Sequence, residues 1–293
     1  MKKFKKRKLD VVVISDVHLG TFGCRAQELL NYLKTINPKI LILNGDIIDM
    51  WQFNKRYFPK AHMKVIKYIT SLLTQGTKVY YITGNHDEML RKFKGFRLGS
   101  FEIVNKLILD LDGKKAWFFH GDVFDVTMQH SKWLAKLGGV GYDLLIMINT
   151  FVNWIGKLFG MGRLSLSKKV KNSVKSAIKF IHNFEQTAAE IAMNNQYDYV
   201  VCGHIHQPQK RTITNKNNQQ VLYLNSGDWI ENLSALEYKN KTWTVYSYEE
   251  DSKAQNLHLN YTGKDPELVK AESKNKDLFD DLLKEFDISK FSK

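Results

Sequence analysis

Apolar residues in this chain come first as short unbroken runs and then at helical spacing, and the two patterns alternate. Val11-Val12-Val13-Ile14, Ile40-Leu41-Ile42-Leu43 and Val79-Tyr80-Tyr81-Ile82 have the length and residue types of strands, and their unbroken apolarity predicts that both faces are covered. Between them, residues 26–35 set Leu29, Leu30 and Leu33 on one helical face, Pro38 marks the break before the second strand, and residues 62–74 predict a second helix. The order strand, helix, strand, helix, strand predicts a largely parallel sheet whose functional side chains gather at the carboxyl ends of the strands.

Farther along, residues 104–111, the pair Asp112-Gly113 and residues 115–119 read as a hairpin with an Asp-Gly turn. Residues 123–195 then change texture to helical spacing rich in Leu, Ile, Phe, Trp and Lys, which predicts an inserted helical cap. Its most apolar part, residues 144–159, is broken by Asn149, Asn153 and Lys157 and is too short and too polar for a membrane span. Strand patterns resume at 197–201, 212–213, 220–224, 234–238 and 242–248, and these runs predict a second sheet packed on the first. The expected organisation is a core of residues 1–122 and 196–257, the cap at 123–195, and a charged C-terminal tail at 258–293 in which 277–286 could form a short helix.

With 293 residues, 43% of them hydrophobic, the chain can bury a large core. Its two cysteines, Cys24 and Cys202, are too few for a disulfide framework, so a reducing, cytoplasmic compartment is expected. A formal charge of +14 calls for a polyanionic partner: a phosphorylated substrate, an anionic membrane surface or nucleic acid. The basic N-terminus resembles the start of a signal peptide, but the apolar run after it is interrupted by Asp10 and ends at Ser15-Asp16. A solvated basic N-terminus is therefore the expectation.

The strands that would form the core end in polar turns. The first carries Asp16 and His18, which point the same way along an extended chain; alone, a capping Asp with an incidental His would explain them. In the second, Asn44-Gly45-Asp46-Ile47-Ile48-Asp49, glycine permits a sharp turn and Asp46 offers two oxygens. Asp49 reads equally as a support for ligands or as a cap. The third is Gly84-Asn85-His86-Asp87, the fourth His120-Gly121-Asp122, and the fifth Gly203-His204-Ile205-His206, where two histidines directly after a strand are a strong metal signature. Asp228, in Asn225-Ser226-Gly227-Asp228-Trp229, could close the site. Asp16, His18, Asp46, Asn85, His120, His204 and His206 thus supply seven oxygen or nitrogen ligands. Mixed imidazole and carboxylate donors favour manganese, iron or zinc over magnesium or calcium. Trp51, Phe53, Tyr57 and Phe58 form an aromatic loop that could wall the pocket or simply pack in the core.

The blocks Asp-x-His, Gly-Asp-x-x-Asp, Gly-Asn-His-Asp, His-Gly-Asp and Gly-His-x-His, in that order, resemble the calcineurin-like metallophosphoesterase superfamily. The resemblance implies an α/β fold of four layers, two mixed β-sheets sandwiched between helices, with a helical cap insertion and two divalent metal ions. It implies that Asp16, His18 and His206 hold the first ion, that Asn85, His120 and His204 hold the second, and that Asp46 bridges them. Two cations side by side acidify a shared water, clamp a phosphate oxygen and stabilise a transferring phosphoryl group. His86, outside that ligand set, is left to stabilise the transition state or protonate the leaving group. Asp87 and Asp122 are expected to orient histidines from behind, with local capping the alternative for each, as for Asp228.

Within the superfamily the chain is most similar, over about residues 9–250, to the UDP-2,3-diacylglucosamine pyrophosphatases and their relatives, whose helical insertion falls between the same two blocks. This implies hydrolysis of an acylated UDP-sugar to UMP and 2,3-diacylglucosamine 1-phosphate, a step of lipid A biosynthesis, by a cytoplasmic protein in peripheral contact with an anionic membrane surface. Phe151, Trp154, Ile155, Leu158 and Phe159 recur at helical spacing before Lys168, Lys169, Lys171 and Lys175; with Arg25, these lysines are candidate substrate contacts. One residue departs from the closest resemblance: His86 stands where the characterised pyrophosphatases carry Arg, whereas His is usual across the superfamily. Two other readings stay open, a related phosphodiesterase or phosphomonoesterase acting on another nucleotide or lipid headgroup, and a non-catalytic basic scaffold. Nucleic acid is not the expected substrate, because the positive charge accompanies an apolar helical cap and not an aromatic stacking platform.

Overall fold

The computed structural model describes residues 6–51, 58–124 and 166–262, and the side chains of these apart from 166–178 and 258–262. The chain runs β1 (Arg7–Ile14), α1 (Ala26–Thr35), β2 (Ile36–Asn44), α2 (Lys60–Thr74), β3 (Lys78–Ile82), a 3-10 turn (Glu88–Phe93), β4 (Arg97–Leu98), β5 (Phe101–Val104), β6 (Lys106–Leu111) and β7 (Lys114–Phe119). It continues with α3 (Leu166–Asn194), β8 (Tyr199–Cys202), β9 (Gln209–Thr214), β10 (Gln220–Asn225), β11 (Ser234–Lys239), β12 (Thr242–Ser247) and α4 (Ser252–Thr262).

These strands form two mixed sheets. One has the order β12-β11-β1-β2-β3-β5-β4, with β1, β2, β3 and β5 parallel; the other is β6-β7-β8-β10-β9, with β7, β8 and β10 parallel. Helices cover the outer faces, which gives the expected four layers. The unbroken apolar runs follow from this layering, since alternate residues of one strand serve different cores. Val12 and Ile14 pack with Leu29 and Leu33 of α1 and Val65 of α2, outside the first sheet. Val11 and Val13 face the other way and join Ile42, Phe118 and Val201 between the sheets. On the far side, Trp117 and Val200 pack with Phe184, Ala188 and Ala192 of α3. Each such side chain contributes roughly 1.5–3 kcal/mol relative to exposure, so a charge at Val12 or Val13 is costly whichever core it enters.

Several expectations are corrected here. The runs at 234–238 and 242–248 do not join the second sheet. As β11 and β12 they extend the first, β11 lying antiparallel to β1, and the hairpin β6–β7 belongs to the second sheet instead. The buried Glu237 of β11 explains the choice, because it accepts hydrogen bonds from Arg7 of β1 (2.6 Å) and the Tyr32 hydroxyl of α1 (3.0 Å). Pro38 lies inside β2, opposite Leu9 and ahead of the first β3 partner at Ile40, where its missing N–H is tolerated. No periodicity predicts α4, which Ala254 anchors to the first helical layer. Residues 179–194, the end of the stretch expected as a cap, form the outer layer on the second sheet. Residues 125–165 and the helix expected over 277–286 lie outside the described residues. No helix among the described residues is long and apolar enough to cross a membrane.

Candidate metal centre

Five turns at the carboxyl ends of β1, β2, β3, β7 and β8 meet where the sheets come together. Backbone hydrogen bonds lace them: Asp16 N–H donates to Gly45 O (3.0 Å), His18 N–H to Asp46 O (2.9 Å) and Gly203 N–H to His120 O (3.0 Å). His204 N–H donates to the Asp16 carboxylate (3.0 Å), which ties the second sheet to the first. Of eleven described non-glycine residues with positive φ, five are expected ligands: Asp16 (51°), His18 (52°), Asp46 (53°), His204 (68°) and His206 (53°). That conformation costs on the order of 1 kcal/mol or more per residue and persists only where surrounding contacts impose it. Glycine is required beside them. A Cβ on Gly84 would overlap Asp46 Oδ1, and one on Gly45, at φ 84°, would enter the His120 ring.

The expected ligands converge. Donor atoms of Asp16, His18 and His206 lie within 4.8 Å of one another, as do those of Asp46, His120 and His204 and those of His18, Asp46 and His86. Asp46 therefore belongs to two groups, His18 links a third, and the donors form one cluster. Asn85 sits between Gly84, which abuts Asp46, and His86, whose N–H donates to Asp46 Oδ1 (2.8 Å). Asp16 Oδ1, His18 Nε2, Asn85 Oδ1 and His120 Nε2 are buried without a hydrogen-bond partner. Two of them face only other donors of the cluster, Asp16 Oδ1 lying 3.1 Å from His206 Nε2 and His120 Nε2 3.3 Å from Asp46 Oδ2, while His18 Nε2 and Asn85 Oδ1 stay unmatched at about 1–3 kcal/mol each, so the donor set fits divalent cations that would take them up. His120 Nδ1 donates to the Asn44 carbonyl (2.9 Å), which fixes the tautomer and turns Nε2 toward the centre, 3.3 Å from Asp46 Oδ2.

The charges explain one another. Burial pushes the Asp16 carboxyl up, but His206 and then His120 outweigh it and lower its pKa to about 2. Burial likewise opposes ionisation of Asp46, and His120, His18 and His86 overcome it, so its pKa falls below the usual carboxylate range. Burial would lower the histidines, yet Asp46 holds His120 well above its ordinary value, and Asp16, with Asp228, raises His206 to about 9. Carboxylates this close need positive charge between them. Protonated imidazoles supply it in the metal-free chain, and cations supply it once the imidazoles are neutral.

Asp49 is buried and does both things expected of it. Its Oδ1 caps the turn by accepting Trp51 N–H (3.0 Å), while its Oδ2 lies 2.9 Å from His86 Nδ1 and 3.5 Å from His18 Nδ1. Trp51 packs tilted against the His86 ring, with centroids 4.7 Å apart and planes at 32°, so one member of the aromatic loop does wall the site. Phe58 packs beside His62, and Phe53 and Tyr57 lie outside the described residues.

Of the supporting aspartates, Asp87 takes the capping alternative in its own turn and adds contacts to a second turn. Asp87 accepts from Ile47 N–H (2.9 Å), Gly84 N–H (2.6 Å) and the Tyr81 hydroxyl (2.6 Å), bracing two ligand turns against each other instead of orienting a histidine. Asp122 pairs with Arg91. Asp228 mainly caps its own turn, accepting from the N–H groups of Ile230 (2.8 Å) and Glu231 (2.6 Å), and it approaches His206 Nδ1 at 3.9 Å. Arg25 is exposed beside Glu28, and the side chains of Lys168, Lys169, Lys171 and Lys175 lie outside those described. Sequence reasoning missed Asn44, the His120 acceptor, and His62, whose Nδ1 accepts Gly20 N–H (2.9 Å) and so steadies the loop after His18. Burial lowers the His62 pKa to about 4, which keeps the ring a neutral acceptor. Asn44 adjoins the Gly-Asp motif and was legible by position; His62, inside a helical pattern, gave no signal.

A family described as calcineurin-like phosphoesterase matches residues 9–208. The chain is similar to a protein named UDP-2,3-diacylglucosamine hydrolase from Aliivibrio fischeri (strain MJ11), 24% identical over 253 residues that cover 82% of this chain and 99% of the relative. A protein of the same name from Vibrio cholerae serotype O1 (strain ATCC 39315 / El Tor Inaba N16961) is 25% identical over 251 residues, 81% of this chain and 98% of the relative. Among solved structures, an archaeal phosphodiesterase matches with a TM-score of 0.39 at 14% identity, covering 81% of this chain and 98% of that one.

Proposed function

This chain belongs to the calcineurin-like phosphoesterase family, and we propose that it uses two divalent metal ions to cleave the pyrophosphate of UDP-2,3-diacylglucosamine, releasing UMP and 2,3-diacylglucosamine 1-phosphate. The observation that carries the chemistry is the convergence of metal-type donors from five strand ends, with buried atoms on Asp16, His18, Asn85 and His120 that make no hydrogen bond outside the cluster. The substrate is supported by similarity to proteins named for that hydrolysis along nearly their whole length.

In this reading Asp16, His18 and His206 hold one ion, Asn85, His120 and His204 hold the other, and Asp46 serves both. Manganese is the expected metal, with iron or zinc compatible with the same donors. When bound, the pair supplies Lewis acidity to the phosphoryl oxygens and to the attacking water. Asn85, being neutral, adds no negative charge to repel the diphosphate. His86 stabilises the transition state or the leaving oxygen through Nε2, because its Nδ1 is held by Asp49. Asp49 keeps a proton on that ring, and Trp51 fixes its tilt. Arg25 and Lys168, Lys169, Lys171 and Lys175 are the candidate diphosphate contacts by sequence, and the net charge of +14 draws the chain to the anionic cytoplasmic face of a membrane, where an acylated substrate resides.

A second reading rests on His86, which stands where the characterised pyrophosphatases it resembles carry arginine: a phosphodiesterase or phosphomonoesterase of the same metal chemistry acting on a different headgroup. Turnover of UDP-2,3-diacylglucosamine with manganese, read as UMP release, tests the first reading. Hydrolysis of bis-p-nitrophenyl phosphate without UMP release would favour the second, and no hydrolysis of either would defeat both.

A further inference from the structure

We propose that residues 89–98 form a docking surface that seats this chain on an anionic lipid bilayer, with the metal centre's mouth turned toward the lipid. The proposal rests on reading the substrate as membrane-borne. Four large apolar side chains in this stretch stand in water: Met89 (58% exposed), Phe93 (48%), Phe96 (49%) and Leu98 (68%). Phe22, Trp51 and Val123 are exposed as well, so seven of the ten exposed large hydrophobics among the described residues lie on segments leaving the metal-bearing ends of β1, β2, β3 and β7. Exposed apolar residues scattered singly need no explanation, but six of these gather toward that end, and Leu98, opposite Phe101 and so level with Val79 near the start of β3, carries the surface down the sheet edge.

The backbone holds the stretch in place. Leu90 N–H donates to Asp87 O (2.9 Å), Gly95 N–H to Ile103 O (2.8 Å) and Ile103 N–H to Phe96 O (3.1 Å), and Leu98 pairs with Phe101 at the edge of the first sheet. Along this extended edge Phe96 and Leu98 share one side, while Arg97 turns to the other and pairs with Glu102 (2.9 Å). Residues 88–98 carry four basic side chains against one acidic, a net +3. Lys92 and Lys94 alternate with the aromatics, and the Lys92 ammonium lies 5.4 Å from the centre of the Phe93 ring.

Aromatic and aliphatic side chains projecting from a narrow edge, separated by lysines, suit a headgroup layer: rings reach the acyl boundary and ammonium groups meet lipid phosphates. A protein groove would instead be met by one continuous apolar stripe. The Arg91–Asp122 pair, two residues from His120, fastens this surface to the rim of the metal centre. A bilayer bound there faces the site that would receive its lipid.

The test is co-sedimentation of the full chain with phosphatidylglycerol vesicles and with neutral phosphatidylcholine vesicles, comparing wild type with F93S/F96S/L98S and with K92E/K94E. None of these residues touches the metal centre, so hydrolysis of bis-p-nitrophenyl phosphate should match wild type and confirm the fold. The expected result is preference for the anionic vesicles and binding weakened by about tenfold or more in both variants. Wild-type binding by either variant, or equal binding to neutral vesicles, would overturn the proposal. So would a dimer that forms without lipid and is lost in the variants, which would assign the face to a second copy of the chain. Vesicle binding that depends on residues 92–98, without UMP release, would leave the docking surface standing and remove only the substrate reading.

Discussion

Asp49 accepts a hydrogen bond from His86, its Oδ2 lying 2.9 Å from the Nδ1 of that ring, and the same oxygen is 3.5 Å from Nδ1 of His18. One buried carboxylate therefore sets the orientation of an expected metal ligand and of the expected catalytic histidine. Neither ring depends on substrate for its position.

Replacing Asp49 with Asn removes the charge that keeps the His86 ring protonated and leaves an amide that satisfies one of the two rings at most. Turnover should fall by about 10–100-fold, the usual cost of losing a support of this kind. Metal content, measured by elemental analysis after dialysis, should stay closer to wild type than turnover does. Wild-type turnover in this variant would mean that His86 is not used.

Stability and metal binding should respond to pH in opposite directions. His206, raised to about 9, and His120, held well above its ordinary value, carry protons in the folded metal-free chain that the unfolded chain loses near pH 6.5. Their stabilising contribution is complete below about pH 6.5 and disappears as the pH rises through about 9. Asp16, lowered to about 2, contributes above about pH 3.8 and fails only as the pH falls toward 2. Divalent cations require the neutral imidazoles. The gap in Tm between metal-loaded and chelator-stripped protein should therefore widen from pH 6.5 to 9, and a constant or shrinking gap in a thermal series would contradict the shared site.

Asp87→Ala would leave Ile47 N–H, Gly84 N–H and the Tyr81 hydroxyl without their acceptor in a buried place. At about 1–3 kcal/mol for each unmatched group, the loss should be about 3 kcal/mol or more in urea unfolding. Because Asp87 joins the Asp46 turn to the Asn85 turn, metal affinity should fall with stability. Loss of stability with unchanged affinity would show that the two turns hold their positions independently.

The parts legible in the sequence are those written in local pattern. Val11-Val12-Val13-Ile14 gave a doubly covered strand because each face meets a different core, and Asp16, His18, His204 and His206 were visible because they follow strands at short spacing. Pairing partners were not visible. Strand β11 looks like any short strand, and what places it beside β1 is Glu237 meeting Arg7 and Tyr32, residues about 200 or more positions away. The choice between the two roles open to Asp87 and Asp122 was hidden for a related reason. An aspartate beside a ligand motif can face the histidines, its own turn or a distant arginine, and only the folded chain decides among them. The left-handed backbone at Asp16, His18 and Asp46 was equally hidden, because strain imposed by long-range contacts has no composition.

The central claim is that Asp46 stands between two cations in one donor cluster. Equilibrium dialysis of the full chain against manganese, followed by elemental analysis, tests it on wild type and on the Asp46→Ala variant. The expected result is about two ions per chain in wild type and a marked loss in a variant that circular dichroism shows to be folded. One ion or none in wild type, or undiminished binding in Asp46→Ala, would contradict it.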